Sequence, residues 1–104
     1  LDQWEALNPA GFAYGSSQQH ADVYLQGQTR AFVDRYSMGA AKEDRARVLE
    51  NAMLPDNEEV FRSEYMQRKL NALCTGLREA YRLKKYPEVL PWEQYLTPPL
   101  VPEE

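Results

Sequence analysis

"EEVFRSEYMQRKLNALCTGLREAYRL", residues 58–83, carries the strongest periodicity in the chain. Met66, Leu70, Leu73, Leu77, Ala80 and Tyr81 recur at three- and four-residue steps with charged residues between them, which is the period of a long helix with one apolar stripe. A helix of that length in a 104-residue chain is expected to run through the centre of the core, with Leu70, Leu73 and Leu77 buried. Each such leucine contributes roughly 1.5 to 3 kcal/mol when fully buried. Gly76 costs about 1 kcal/mol there relative to alanine and would admit a closely packed neighbour. Cys74, between Leu73 and Leu77, reads as a small core hydrophobe, because no histidine nearby in sequence could activate it as a nucleophile.

Towards the N-terminus, "LPDNEE" marks a break. Pro55 cannot continue a hydrogen-bond ladder, and Asp56 or Asn57 can cap the next helix with Glu58 and Glu59 in its first turn. Before the break the period is again helical: Ala46, Leu49, Ala52 and Met53 fall on one side, predicted to face the core, and Glu43, Arg47 and Glu50 on the other. The expected fold is therefore mainly α, with two principal helices at 41–54 and 58–83. Residues 1–30 read mostly as loop, with one helical patch in "LDQWEAL" and with Trp4, Leu7, Phe12 and Tyr14 pinning it down. "RAFVDRY", 30–36, suits either a short strand or one helical turn. The tail "KKYPEVLPWEQYLTPPLVPEE" is rich in proline, so it should wrap in extended form with at most one helical turn around Pro91 to Leu96, anchored by Trp92, Tyr95 and Leu96.

Composition bounds the function. A chain that is 43% hydrophobic and 12% aromatic can fill one modest core, so residues 1–104 form a single domain or a fragment of one. The net charge of −4 and the lack of a basic block speak against nucleic acid as a partner. Apolar runs are only a few residues long, so no membrane span is expected, and "LDQWEALNPAGF" has neither the basic start nor the apolar centre of a signal peptide. The chain opens on Leu1 in place of an initiator methionine, which reads as a piece of a longer protein. With one cysteine and one histidine there can be no internal disulfide and no multi-histidine metal site. His20, in "SSQQHAD", reads as a solvated loop residue.

"DRYSMGAAKEDRARVLENAM", residues 34–53, holds the candidate chemistry: Tyr36 stands seven positions before Glu43, which is followed by Asp44. On local physics alone, carboxylates in a first helical turn complement the helix dipole, and Glu43 pairs with Arg47 four residues on. Tyr36 alone would be a partly buried core aromatic with its hydroxyl at the surface.

Four fragments taken together favour a more specific reading. "W-x-x-L-N-P-x-G-F-x-Y-G" (Trp4 to Gly15), "F-V-x-x-Y-S-M" (Phe32 to Met38), "E-D-R-A" (Glu43 to Ala46) and "L-P-W-E-Q-Y-L" (Leu90 to Leu96) follow one another in order over nearly the whole chain. They resemble the C-terminal part of bacterial zinc metallopeptidases near the lethal-factor-like branch of the gluzincins. The resemblance implies the C-terminal helical half of a zincin-like catalytic domain, an exported or cell-surface parent and a peptide or protein substrate. In that family an H-E-x-x-H helix supplies two zinc ligands and a general base, and a later helix supplies a third ligand. The resemblance makes Glu43 that third ligand and Tyr36 the tyrosine whose hydroxyl stabilises the developing oxyanion. The residue types suit these roles, since zinc needs a carboxylate or nitrogen donor to complete three ligands with one open position, and a phenol can donate to a tetrahedral intermediate.

Two departures qualify what is carried over. The family pattern is E-D-x-A-E, and Arg47 stands where the second glutamate is usual, so Asp44 is left as the carboxylate that could orient a zinc-bound histidine. There is no H-E-x-x-H in the chain, so zinc belongs to a complete parent and none is expected to bind this chain tightly. The HExxH-bearing half would then be its partner, packing on the charged face of residues 41–54. Two alternatives remain: a non-catalytic helical module that binds a protein through Glu43, Arg47, Glu50 and the proline-rich tail, or a degenerate pseudo-peptidase domain.

Overall fold

The computed structural model describes residues 3–15 and 21–102. They are helical and turn structure without a strand: a 3-10 turn at Glu5–Leu7, the short helix α1 (Ala21–Tyr24), 3-10 turns at Gly27–Thr29 and Tyr36–Met38, then α2 (Ala41–Ala52), a 3-10 turn at Glu58–Phe61, α3 (Glu64–Ala80) and a last 3-10 turn at Pro91–Glu93. The mainly α class expected from the periodicity is the one observed. Residues 30–36 form neither a strand nor a helical turn of their own: irregular backbone buries Ala31, Phe32 and Val33, and a 3-10 turn begins only at Tyr36. No helix among the described residues is long and apolar enough to cross a membrane.

The segment predicted as one helix over 58–83 divides. Asn57 heads only the 3-10 turn, which turns Val60 and Phe61 into the core, and Ser63 in extended conformation starts α3 afresh. Its hydroxyl accepts from the Met66 amide at 3.1 Å, satisfying one of the amides a helix start leaves open. The far end closes three residues earlier than predicted. Arg82 adopts a left-handed φ of 58°, the Leu83 amide donates to the Arg78 carbonyl at 2.7 Å and the Arg82 amide to Glu79 at 3.2 Å. That is a Schellman closure with arginine where glycine is usual, and so it carries no sequence signal.

Leu70 is fully buried on α3, and Leu73 and Leu77 are half-buried. The stripe facing inward is Met66, Lys69, Leu70, Cys74 and Arg78, two cations among apolar side chains. Gly76 meets nothing within 4 Å of a built Cβ, so it does not serve close packing. On α2 the predicted face is turned by about a third of a revolution. Ala46 and Met53 are exposed and Leu49 is half-buried, whereas Asp44, Val48 and Ala52 point inward. A hydropathy pattern places a carboxylate outside; here Asp44 is inside because a distant cation meets it.

Around α3 the main core gathers Trp4, Val33, Val48, Phe61, Met66, Leu70, Cys74 and Leu96, and a smaller one holds Ala21, Ala31, Phe32 and Met38. The four N-terminal pins all pack: Trp4 lies in the main core with Leu7 and Tyr14 against it, and Phe12 and Tyr14 pack on the smaller one. The tail is anchored as expected by Leu96, Trp92 and Tyr95, the last stacked on Phe61 at 5.7 Å between ring centroids. Polar ties add to it. Arg78 grips Glu93 with two bonds of 2.6 and 2.9 Å and donates to the carbonyls of Leu83, Tyr86 and Glu88, so one buried guanidinium shapes the whole connection from α3 to the tail.

Candidate functional site

The turn that carries Tyr36 is organised by Asp34. Its Oδ1 accepts from both the amide and the hydroxyl of Ser37, each at 3.0 Å, and the Met38 carbonyl accepts from the Gly15 amide at 3.0 Å. Ser37 and Met38 are thereby buried, and Tyr36, one position earlier, projects outward with 71% of its surface exposed. The core-aromatic reading of Tyr36 does not hold. Five residues after Met38, Glu43 lies in the first turn of α2 with its side chain half exposed.

Arg47 joins these pieces. Its Nη1 is 3.0 Å from Asp34 Oδ2, its Nε donates to Glu43 Oε1 at 3.2 Å, and its guanidinium carbon lies 4.9 Å from the centre of the Tyr36 ring. Tyr36 and Glu43 therefore stand on one flank of the molecule with a shared cation between them. The Glu43–Arg47 pair expected from their spacing is present; the reach of Arg47 to the preceding turn is an addition.

Asp44, next in sequence to Glu43 and about 100° around the helix from it, points into the protein. Its Oδ2 accepts from Lys69 Nζ at 2.7 Å, from the Tyr14 hydroxyl at 2.6 Å and from Trp4 Nε1 at 3.1 Å. Lys69 also donates to the Ala31 carbonyl at 2.7 Å and sits 3.8 Å above the centre of the Phe32 ring. Neither side chain of the Asp44–Lys69 pair touches solvent. Burial pushes the Asp44 carboxyl up and the Lys69 ammonium down, and their mutual attraction opposes both shifts. Tyr14 is raised, by burial first and then by its bond to Asp44. Asp44 Oδ1 is buried and has no donor among the described residues.

Trp4, Tyr14, Phe32 and Asp44 come from three of the four sequence fragments, and the fold closes them around Lys69. Sequence reasoning named Asp44 but missed Lys69. The available signal was a lysine three residues after Met66 on the inward stripe of the strongest helix. Cys74 is buried and its thiol pushed up to about 12, by burial first and by the charge of Glu93 second, in keeping with an inert core residue. His20 lies outside the described residues. Among the described residues no three His, Cys, Asp or Glu side chains gather as a metal site. No family model, curated protein or solved structure matches the chain.

Proposed function

We propose that the chain is the C-terminal part of a zinc-dependent metallopeptidase of the lethal-factor-like gluzincin type, with Glu43 as a zinc ligand and Tyr36 as the phenol that steadies the transition state. One observation carries it: Trp4, Tyr14, Phe32 and Asp44 close a buried cluster, while Tyr36 and Glu43, to which the resemblance gives the chemistry, stand outside it on one flank against Arg47. An exposed tyrosine beside an exposed carboxylate, each with its backbone fixed by buried neighbours, has the accessibility and positioning that a catalytic pair needs.

A catalytic zinc takes three protein ligands, so Glu43 fits as one and the other two would be histidines of an H-E-x-x-H segment that this sequence does not contain. When bound, zinc would supply an activated water and polarise the scissile carbonyl. Arg47 does not bar that role, because an exposed pair four residues apart on a helix is worth only about 0.3 to 0.5 kcal/mol. The Tyr36 hydroxyl would donate to the oxygen on which charge develops. Asp44 could orient a ligand only through Oδ1, since Oδ2 already accepts three hydrogen bonds.

Met53 and Leu54, 49% and 45% exposed at the end of α2, favour a second reading. In it the outer face of α2 and the proline-rich tail bind a protein partner without catalysis, as a helical module or a degenerate peptidase would.

The complete gene product provides the test. It should contain H-E-x-x-H upstream and one zinc per chain by elemental analysis; Glu43→Gln should lose the metal, and Tyr36→Phe should keep it while turnover falls. A complete protein with no such motif, or one whose Glu43→Gln variant keeps zinc, would leave the interaction module as the better account.

A further inference from the structure

Glu59 and Arg62 line one cleft of about 310 Å³ together with Gln26, Gln28 and Arg30. The cleft forms where the 3-10 turn Glu58–Phe61 and the break before α3 come up against the turn Gly27–Thr29. Arg30 is held rigidly there, its Nε donating to the Phe32 carbonyl at 3.1 Å and its Nη2 to Val33 at 2.8 Å, so that Nη1 takes no part in either bond.

The side chains of Glu59 and Arg62 lie three residues apart, yet neither makes a hydrogen bond or ion pair with the other or with any described residue. Elsewhere on this surface nearby opposite charges do pair, as Glu64 with Arg68 and Glu43 with Arg47. The charge of Glu59 reaches Arg30 through space, without a direct contact between them. A carboxylate and two guanidinium groups that line one cleft without bonding one another match a ligand that carries both charges itself. A phosphate would meet the two arginines but be repelled by Glu59; a simple amine would meet Glu59 but face two guanidinium groups.

We propose that this cleft binds a free α-amino acid, its carboxylate against Arg30 and Arg62, its ammonium against Glu59, and a polar side chain towards the amides of Gln26 and Gln28. The volume is at the lower end of small-molecule sites, about 300 to 1,000 Å³, which suits a ligand of amino-acid size. The cleft shares no residue with Tyr36, Glu43 and Arg47, so its occupancy is independent of the peptidase assignment.

Nuclear magnetic resonance titration of the chain with L-glutamine tests this. Backbone amides of residues 26–30 and 59–63 should shift saturably, with a Kd of about 1 mM for so open a polar site. L-glutaminamide, which lacks the carboxylate, and N-acetyl-L-glutamine, which lacks the ammonium, should each bind at least about tenfold more weakly, and so should L-glutamine to Glu59→Gln or Arg62→Ala. Both substitutions are on exposed side chains, and an unchanged remainder of the spectrum verifies the fold. Absence of saturable shifts with L-glutamine, wild-type affinity in both variants, or equal binding of N-acetyl-L-glutamine or inorganic phosphate would each overturn the proposal.

Discussion

Lys69 crosses the core to reach Asp44 at 2.7 Å, joining α3 to the first turn of α2 with both side chains closed off from solvent. This contact turns Asp44 inward and, through the helix geometry, directs its neighbour Glu43 outward.

Removing one member of the pair should be costly. Lys69→Met leaves the Asp44 carboxylate buried without its cation and is expected to destabilise the chain by about 3 to 5 kcal/mol in urea unfolding. The double variant Lys69→Met, Asp44→Leu should recover much of that loss, since no charge then remains uncompensated. A single-variant cost under about 1 kcal/mol would contradict a fully buried pair.

Acid should loosen the tail through Glu93. Burial pushes its carboxyl up, but the bonds from Arg78 and the Leu90 amide outweigh that and leave its native value lowered. A lowered native value means that the unfolded chain binds the proton more readily, so the stabilisation is present above the ordinary glutamate value and is lost as pH falls through the native one. Asp44, raised by burial, acts with the opposite sign. Comparing wild type with Glu93→Gln therefore isolates Glu93: the stability difference measured by urea unfolding should be largest at neutral pH and shrink on acidification.

Gly76→Ala should stabilise α3 by up to about 1 kcal/mol, because the position is helical and a Cβ there meets nothing within 4 Å. Thermal unfolding of the variant checks this, and a lowered midpoint would mean that a neighbour does pack against Gly76.

Tyr36→Phe should leave stability within about 0.5 kcal/mol of wild type, because the side chain is largely in solvent and the ring contact to Arg47 is retained. A large loss would show that the hydroxyl serves the fold, which would remove the reason for assigning it to chemistry.

The features legible in the bare chain are those that depend on local period and punctuation. The step from Met66 to Leu70 and Cys74 establishes a helix, Pro55 separates it from the one before, and the aromatic residues among the tail prolines mark where that segment is pinned. The division of 58–83 at Ser63 and the closure at Arg82 are not legible, since Phe61 turns inward for reasons of packing and an arginine at the left-handed position gives none of the signal a glycine would. For the candidate site, Glu43 and Arg47 are visible as a helical pair, but that Tyr36 joins them depends on Asp34 folding the preceding turn. Which face of α2 is inside follows from long-range packing and from nothing local. A carboxylate enters a core only when a cation from elsewhere meets it, and Lys69, 25 residues beyond Asp44, comes alongside only once α3 has packed.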